Sequence, residues 1–106
     1  MKIDTIAAAK RIPIGTKFYL VRTMMGPQKP SLRTLVKAGS RDLQFRIDDP
    51  DHKGFGHVSY LSLPSGTKVE STANGFRIRE GLATEEELRL NPHYTGGEIS
   101  AEYEFA

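Results

Sequence analysis

A chain of 106 residues, 38% of them apolar and 26% charged, has the size of one domain and enough apolar side chains for one core. The absence of cysteine excludes a disulfide framework, a thiolate zinc site and a cysteine nucleophile. The net charge of +2 is unevenly spread: residues 1–79 hold 14 of the 15 Lys and Arg against 6 of the 13 acids, a surplus of +8, whereas residues 80–106 hold one Arg against seven Glu, a balance of −6. The expected organisation is a single domain, 1–106, with a basic β-rich core over 1–80 and an acidic helix and C-terminal strand or tail over 81–106. Such a division hints at a basic binding surface with an acidic tail, and fits a dipolar surface without a partner equally well.

The N-terminal segment holds only the short apolar run Ile6-Ala7-Ala8-Ala9. No later stretch approaches the ~20 apolar residues of a membrane span, which predicts a soluble, cytoplasmic chain. Asp4 is placed to cap a short helix closed by Pro13, with Ile3, Ile6, Ala7 and Lys10 at helical spacing, as a lid on the core. Residues 16–24 are rich in aromatic and β-branched side chains and read as a first strand ending in a turn at Gly26-Pro27, followed by an exposed polar loop over 26–30. Residues 31–38 fit either a helix face or an alternating strand, and strand is preferred.

Residues 41–48 alternate cleanly, with Leu43, Phe45 and Ile47 on one face and Asp42, Gln44, Arg46 and Asp48 on the other. After a turn-rich loop over 48–54, residues 57–63 form another strand, broken by Pro64-Ser65-Gly66. Residues 67–71 and 76–80 read as a hairpin joined across Thr72-Ala73-Asn74-Gly75, whose Asn-Gly pair tolerates positive φ. Pro13-Ile14-Gly15-Thr16-Lys17 and Pro64-Ser65-Gly66-Thr67-Lys68 repeat the pattern P-x-G-T-K, each at the start of a strand. Thr84-Glu85-Glu86-Glu87 is a capping box for a short helix stopped by Pro92, and residues 98–105 alternate as an edge strand or a tail. The fold class that follows is mainly β (α+β): a small antiparallel β-barrel or sandwich of five to six strands, with a short N-terminal helix and a short helix near 84–91.

Lys53-Gly54-Phe55-Gly56-His57-Val58-Ser59-Tyr60 resembles the ribonucleoprotein octamer of RNA-recognition-motif domains, and its first part is similar to the corresponding segment of cold-shock domains. The resemblance implies that Lys53 contacts phosphate, that Phe55 and, more weakly, His57 stack on bases, and that Val58 and Tyr60 face the interior. Residues 18–23 would supply the companion hexamer, with Tyr19 in a stacking position. A whole-domain match would be an RNA-recognition-motif-like α/β sandwich, the alternative fold, and would need a helix over residues 63–72, which Pro64 and Gly66 oppose. The plainer reading of the octamer is a Gly-Phe-Gly turn whose Phe tucks under a barrel end.

Arg33, Lys37, Arg46, Arg77 and Arg79 interleave with the strands, and Arg77 and Arg79, two apart, share an outward face opposite Phe76 and Ile78. Together with Lys53, Phe55, His57 and Tyr19 they form a candidate surface for single-stranded nucleic acid. Solubilising charge is the commoner use of any one such pair. The histidines lie in no metal-ligand or catalytic spacing, the acidic loop with His52 matches no calcium loop, and no glycine-rich phosphate loop, cofactor signature or paired acid and base is singled out. The expected function is therefore a non-catalytic binding module without cofactor or metal, most of all one associated with nucleic acid. The alternative is a protein-interaction module, an accessory, inhibitory or adaptor protein, contacting partners through Met24, Met25, Phe55, Tyr103 and Phe105 and pairing as a homodimer through a C-terminal edge strand. One continuous basic face favours nucleic acid; a scatter of the cations favours a protein partner.

Overall fold

The computed structural model describes residues 2–64, 66–80, 85–92 and 99–106. The chain runs α1 (Ile6–Lys10), β1 (Lys17–Thr23), β2 (Gly26–Ala38), β3 (Asp42–Ile47), β4 (Val58–Ser62), β5 (Lys68–Ser71), β6 (Gly75–Arg79), α2 (Glu85–Leu90) and β7 (Ile99–Phe105). All seven strands join one antiparallel sheet in the order β4-β3-β2-β1-β7-β6-β5. The mainly β expectation holds. The six strands up to Arg79 match the expected number, and β7 makes the seventh. The α/β sandwich does not form, because residues 68–71 are strand β5 where that fold needs a helix.

This sheet cannot be flat. Its outer strands β4 and β5 are consecutive in the chain. The linker between them reaches about 20 Å at full extension, whereas six strand spacings of a flat sheet span about 29 Å. The sheet therefore coils, and single-residue bulges at Val21, Val36 and Ser100 add twist where it must bend. Register assigns the concave side: Phe18 lies opposite Arg33 and Phe105, Leu35 opposite Phe45, Leu43 opposite Leu61, and Ile78 opposite Val69 and Ala101. Phe18 is fully buried at the centre, with ring centroids 5.5 Å from Phe76, 6.0 Å from Phe45 and 6.1 Å from Tyr103. Such edge-on aromatic pairs add to the ~1.5–3 kcal/mol gained by burying each large apolar side chain.

α1 is the lid expected of it, since Ile3, Ala9 and Ile12 join the core and the helix packs on β5. Its cap is Thr5 rather than Asp4: the extended Thr5 backbone lets its Oγ1 accept from the Ala8 N–H at 2.9 Å. The repeated P-x-G-T-K motif builds the same turn twice. The Thr16 and Thr67 N–H groups each donate to the carbonyl of the proline three residues earlier at 3.1 Å, and Gly15 and Gly66 take φ of +94° and +89°. The first hairpin turns at Met24-Met25, one step before the expected Gly26-Pro27, and residues 26–30 belong to β2 rather than to a loop. The Asn74-Gly75 hairpin forms, but neither residue has positive φ. Gly75 is needed for another reason: a Cβ there would lie 2.0 Å from the Tyr103 carbonyl oxygen on β7. The Thr84 cap lies outside the described residues, as do Glu98 and Gly96-Gly97. Among the described residues no helix is long and apolar enough to cross a membrane.

Candidate interaction surface

The cations expected to form one basic face are dispersed by the pairing of the strands. Arg33 points to the concave side and is 5% exposed, its Nε donating to Ser31 Oγ at 3.2 Å and its Nη1 to Ser59 Oγ at 3.0 Å. Burial lowers its pKa, and among the described residues no carboxylate lies within ion-pair distance. On the convex side Asp48 gathers Arg46 at 2.8 Å, Lys17 at 3.6 Å and the Thr34 hydroxyl. Glu70 gathers Arg77 at 2.7 Å and Arg79 at 3.3 Å. The Arg46 and Arg77 hydrogen bonds hold the two carboxyls below the usual carboxylate range. Lys37 is exposed beside Gln44, and Tyr19 lies on the convex side between Leu32 and Glu104.

The expected partner-binding residues also separate. Met24 and Met25 are exposed at the tip of the first hairpin. Tyr103 is a core residue, 3% exposed and stacked on Phe45 at 4.5 Å and Phe76 at 5.4 Å. Burial pushes its hydroxyl pKa up to about 12. Phe105 leans on Phe18 at 4.9 Å. The strand that carries these two aromatics is not an edge: β7 lies between β1 and β6, in the interior of the sheet.

What the fold does leave open is β4. The Ile47 N–H donates to the His57 carbonyl at 2.9 Å and the Leu63 N–H to that of Arg41 at 2.7 Å. Alternation along the antiparallel ladder then directs the His57 carbonyl and the backbone groups of residues 59, 61 and 63 to β3, and those of Val58, Tyr60 and Ser62 away from it, while the His57 N–H donates to the Gly54 carbonyl at 2.8 Å. Among the described residues no other strand adjoins that side. Val58 and Tyr60, expected to face inward, are 40% and 68% exposed on the convex side, because pairing with Arg46 and Gln44 sets their phase. Leu61 and Leu63, the other apolar residues of the segment, are the ones buried, so the phase could have been set by asking which alternation keeps both leucines inside.

The preceding loop is anchored to the same strands. The Gly56 N–H donates to the Ile47 carbonyl at 2.8 Å, the Phe55 N–H to that of His52 at 3.0 Å, and the Gly54 N–H to His52 Nδ1 at 2.8 Å. Phe55 is held 56% exposed at the N-terminal end of β4, near the exposed Lys53 and His57. A shallow groove lined by Ser40, Arg41, Asp42, Tyr60 and Ser62 lies at its C-terminal end.

No protein-family model, curated protein or solved structure matches this chain.

The other unpaired stretches of sheet edge are blunted. β5 carries Lys68 and Glu70 on its convex side and packs against α1, and the free length of β2 contains Pro27 and Pro30, which have no N–H to offer. β4 has no charge and no proline, and its outward donors and acceptors are flanked by Val58, Tyr60 and Phe55. Among the described residues no three His, Asp or Glu side chains gather as a metal site; Asp48 is taken up by its cations and His52 Nδ1 by the loop backbone.

Proposed function

We propose that this protein is a non-catalytic protein-interaction module whose contact surface is the β4 edge together with the Phe55 loop. The observation that carries the reading is the uncharged β4 edge, with three outward N–H and three outward C=O groups beside exposed Val58, Tyr60 and Phe55, in a sheet whose other edges are blunted. An added strand satisfies such a ladder through main-chain hydrogen bonds, while side chains alternating along it set specificity. The cations give a polyanion less to hold, because Arg33 is inside, Arg46 is paired with Asp48, and Arg77 and Arg79 share Glu70.

Photocrosslinking tests this with a benzoylphenylalanine introduced at Tyr60 and, as control, at Lys37, in cells producing the chain. Discrete protein adducts from position 60 alone are expected. Fluorescence anisotropy of a labelled single-stranded oligonucleotide, read at low and high salt, addresses nucleic acid directly, since phosphate-driven binding falls steeply with salt. Micromolar, salt-sensitive oligonucleotide binding without protein adducts would overturn the proposal. A specific observation keeps that second reading in view: Lys53, Phe55, His57 and Tyr60 are all exposed along one stretch of chain.

A further inference from the structure

Resting on that reading of β4, we infer that the strand added to it is β4 of a second copy, in an antiparallel pair with a two-fold axis through Tyr60. The ladder is self-complementary about this residue. Because Tyr60 directs its N–H and C=O outward, two copies facing each other exchange both bonds at Tyr60, and Val58 of each copy exchanges both with Ser62 of the other. All six outward backbone groups of each strand are then satisfied, and a pair of tyrosines meets across the axis on the convex side.

The neighbouring groups obey the same symmetry. On β3, Arg46 lies beside Val58 and Asp42 beside Ser62, so each copy presents its Arg46 end to the Asp42 end of the other and like charges are kept apart. The Phe55 loop and the Ser40-Arg41-Asp42 groove sit at opposite ends of β4, so the axis brings each loop to the groove of the second copy. There the Arg41 guanidinium is the cation that the face of a phenylalanine ring accepts. An unrelated peptide strand would satisfy the ladder but would need to supply both the loop and the groove anew. This chain carries the two together.

Sedimentation equilibrium of the full chain over a concentration series is expected to show a monomer–dimer equilibrium, with association at least tenfold weaker for Tyr60→Lys, which puts a charge on an exposed edge position and leaves the core untouched. Circular dichroism checks that this variant is folded. If it is not, Ser62→Pro at the last position of β4 serves instead, since the N–H it removes points away from β3 and its fold is checked in the same way.

Register is read by oxidative crosslinking in a chain that has no cysteine of its own. Opposed residues in a bonded pair have Cα atoms about 5.5 Å apart, within disulfide reach. Tyr60→Cys alone should form covalent dimers. Val58→Cys and Ser62→Cys should each fail alone and succeed when mixed. A wild-type chain that stays monomeric, or crosslinking indifferent to position, overturns the two-fold pair. If position 60 still gives adducts with other proteins in cells, the β4 edge survives as a contact surface with a different occupant; if it gives none, both readings fall together.

Discussion

Gly75→Ala isolates what holds β6 to β7. Because Gly75 is not at positive φ, alanine has no backbone conformation to fear there, and any penalty is steric. The added Cβ would lie 2.0 Å from the Tyr103 carbonyl oxygen and 2.9 Å from Glu104 Cα, where side-chain carbons essentially never come closer than 3.0 Å. Both obstacles are backbone in an interior strand, so β6 must retreat by about an ångström. That retreat strains the bond from the Phe105 N–H to the Asn74 carbonyl at 2.7 Å and loosens Phe76 against Tyr103. Losing one or two such bonds costs about 1 kcal/mol each, with about 1–3 kcal/mol more for a polar group left buried and unpaired. Alanine returns about 0.4–1 kcal/mol by restricting the unfolded chain. The expected net loss is about 3 kcal/mol, a large part of the roughly 5–15 kcal/mol of an ordinary domain. Urea unfolding followed by far-ultraviolet circular dichroism measures it. A variant within about 0.5 kcal/mol of wild type would show that β6 and β7 do not approach this closely.

Phe18→Ala empties the centre of the aromatic cluster and should cost about 3–5 kcal/mol in the same assay; a loss under 1 kcal/mol would mean the core collapses freely around the gap. Thr67 Oγ1 is buried without a hydrogen-bond partner among the described residues, so Thr67→Val, which keeps the shape and removes the hydroxyl, should raise stability by about 1 kcal/mol. A decrease would reveal a partner for that oxygen. Asp48 and Glu70 have folded pKa values below their unfolded ones, so their contribution is complete above the ordinary carboxylate pKa of about 4 and is lost as pH falls through the folded values. Thermal unfolding from pH 7 to pH 2 should therefore show a shallower acid decline for the Asp48→Asn, Glu70→Gln double variant than for wild type. Parallel curves would rule out these two carboxylates as the source.

Local signals were legible wherever apolar and polar residues contrast within a few positions. β3 alternates without exception, and the P-x-G-T-K motif carries its turn chemistry in the residues themselves, so both are readable before any partner strand is known. The phase of β4 is less plain, because Val58 and Tyr60 compete with Leu61 and Leu63 for the inner face; keeping both leucines inside points to the observed phase, and the register with Arg46 and Gln44 fixes it. Arg33 fails for the same reason: two residues from Ser31 and from Leu35, it shares their concave side, where a lone arginine among polar neighbours looks like surface. Residues 26–30 read as a loop because two prolines and a glycine oppose a ladder, yet one free side spares those prolines any bond they could not make.

The charge division near residue 80 shows most directly how topology changes what composition suggests. Along the chain it is a basic body followed by an acidic tail. In the fold, β7 inserts between β1 and β6, so Glu102 stands opposite both Arg22 and Arg77, and Glu104 opposite Tyr19 and Gly75. Glu70, one of the few acids of the basic half, pairs with both Arg77 and Arg79 from the other side. Cations and carboxylates therefore alternate across the convex side at one strand spacing, about 4.8 Å, well inside the ~8 Å screening length of physiological salt. Opposite charges at that spacing weaken one another's field in solvent. Strand order thus breaks up the single-signed stretch that the sequence presents, and on the proposed reading recognition is short-range, through backbone hydrogen bonds and apolar contact at the uncharged β4 edge.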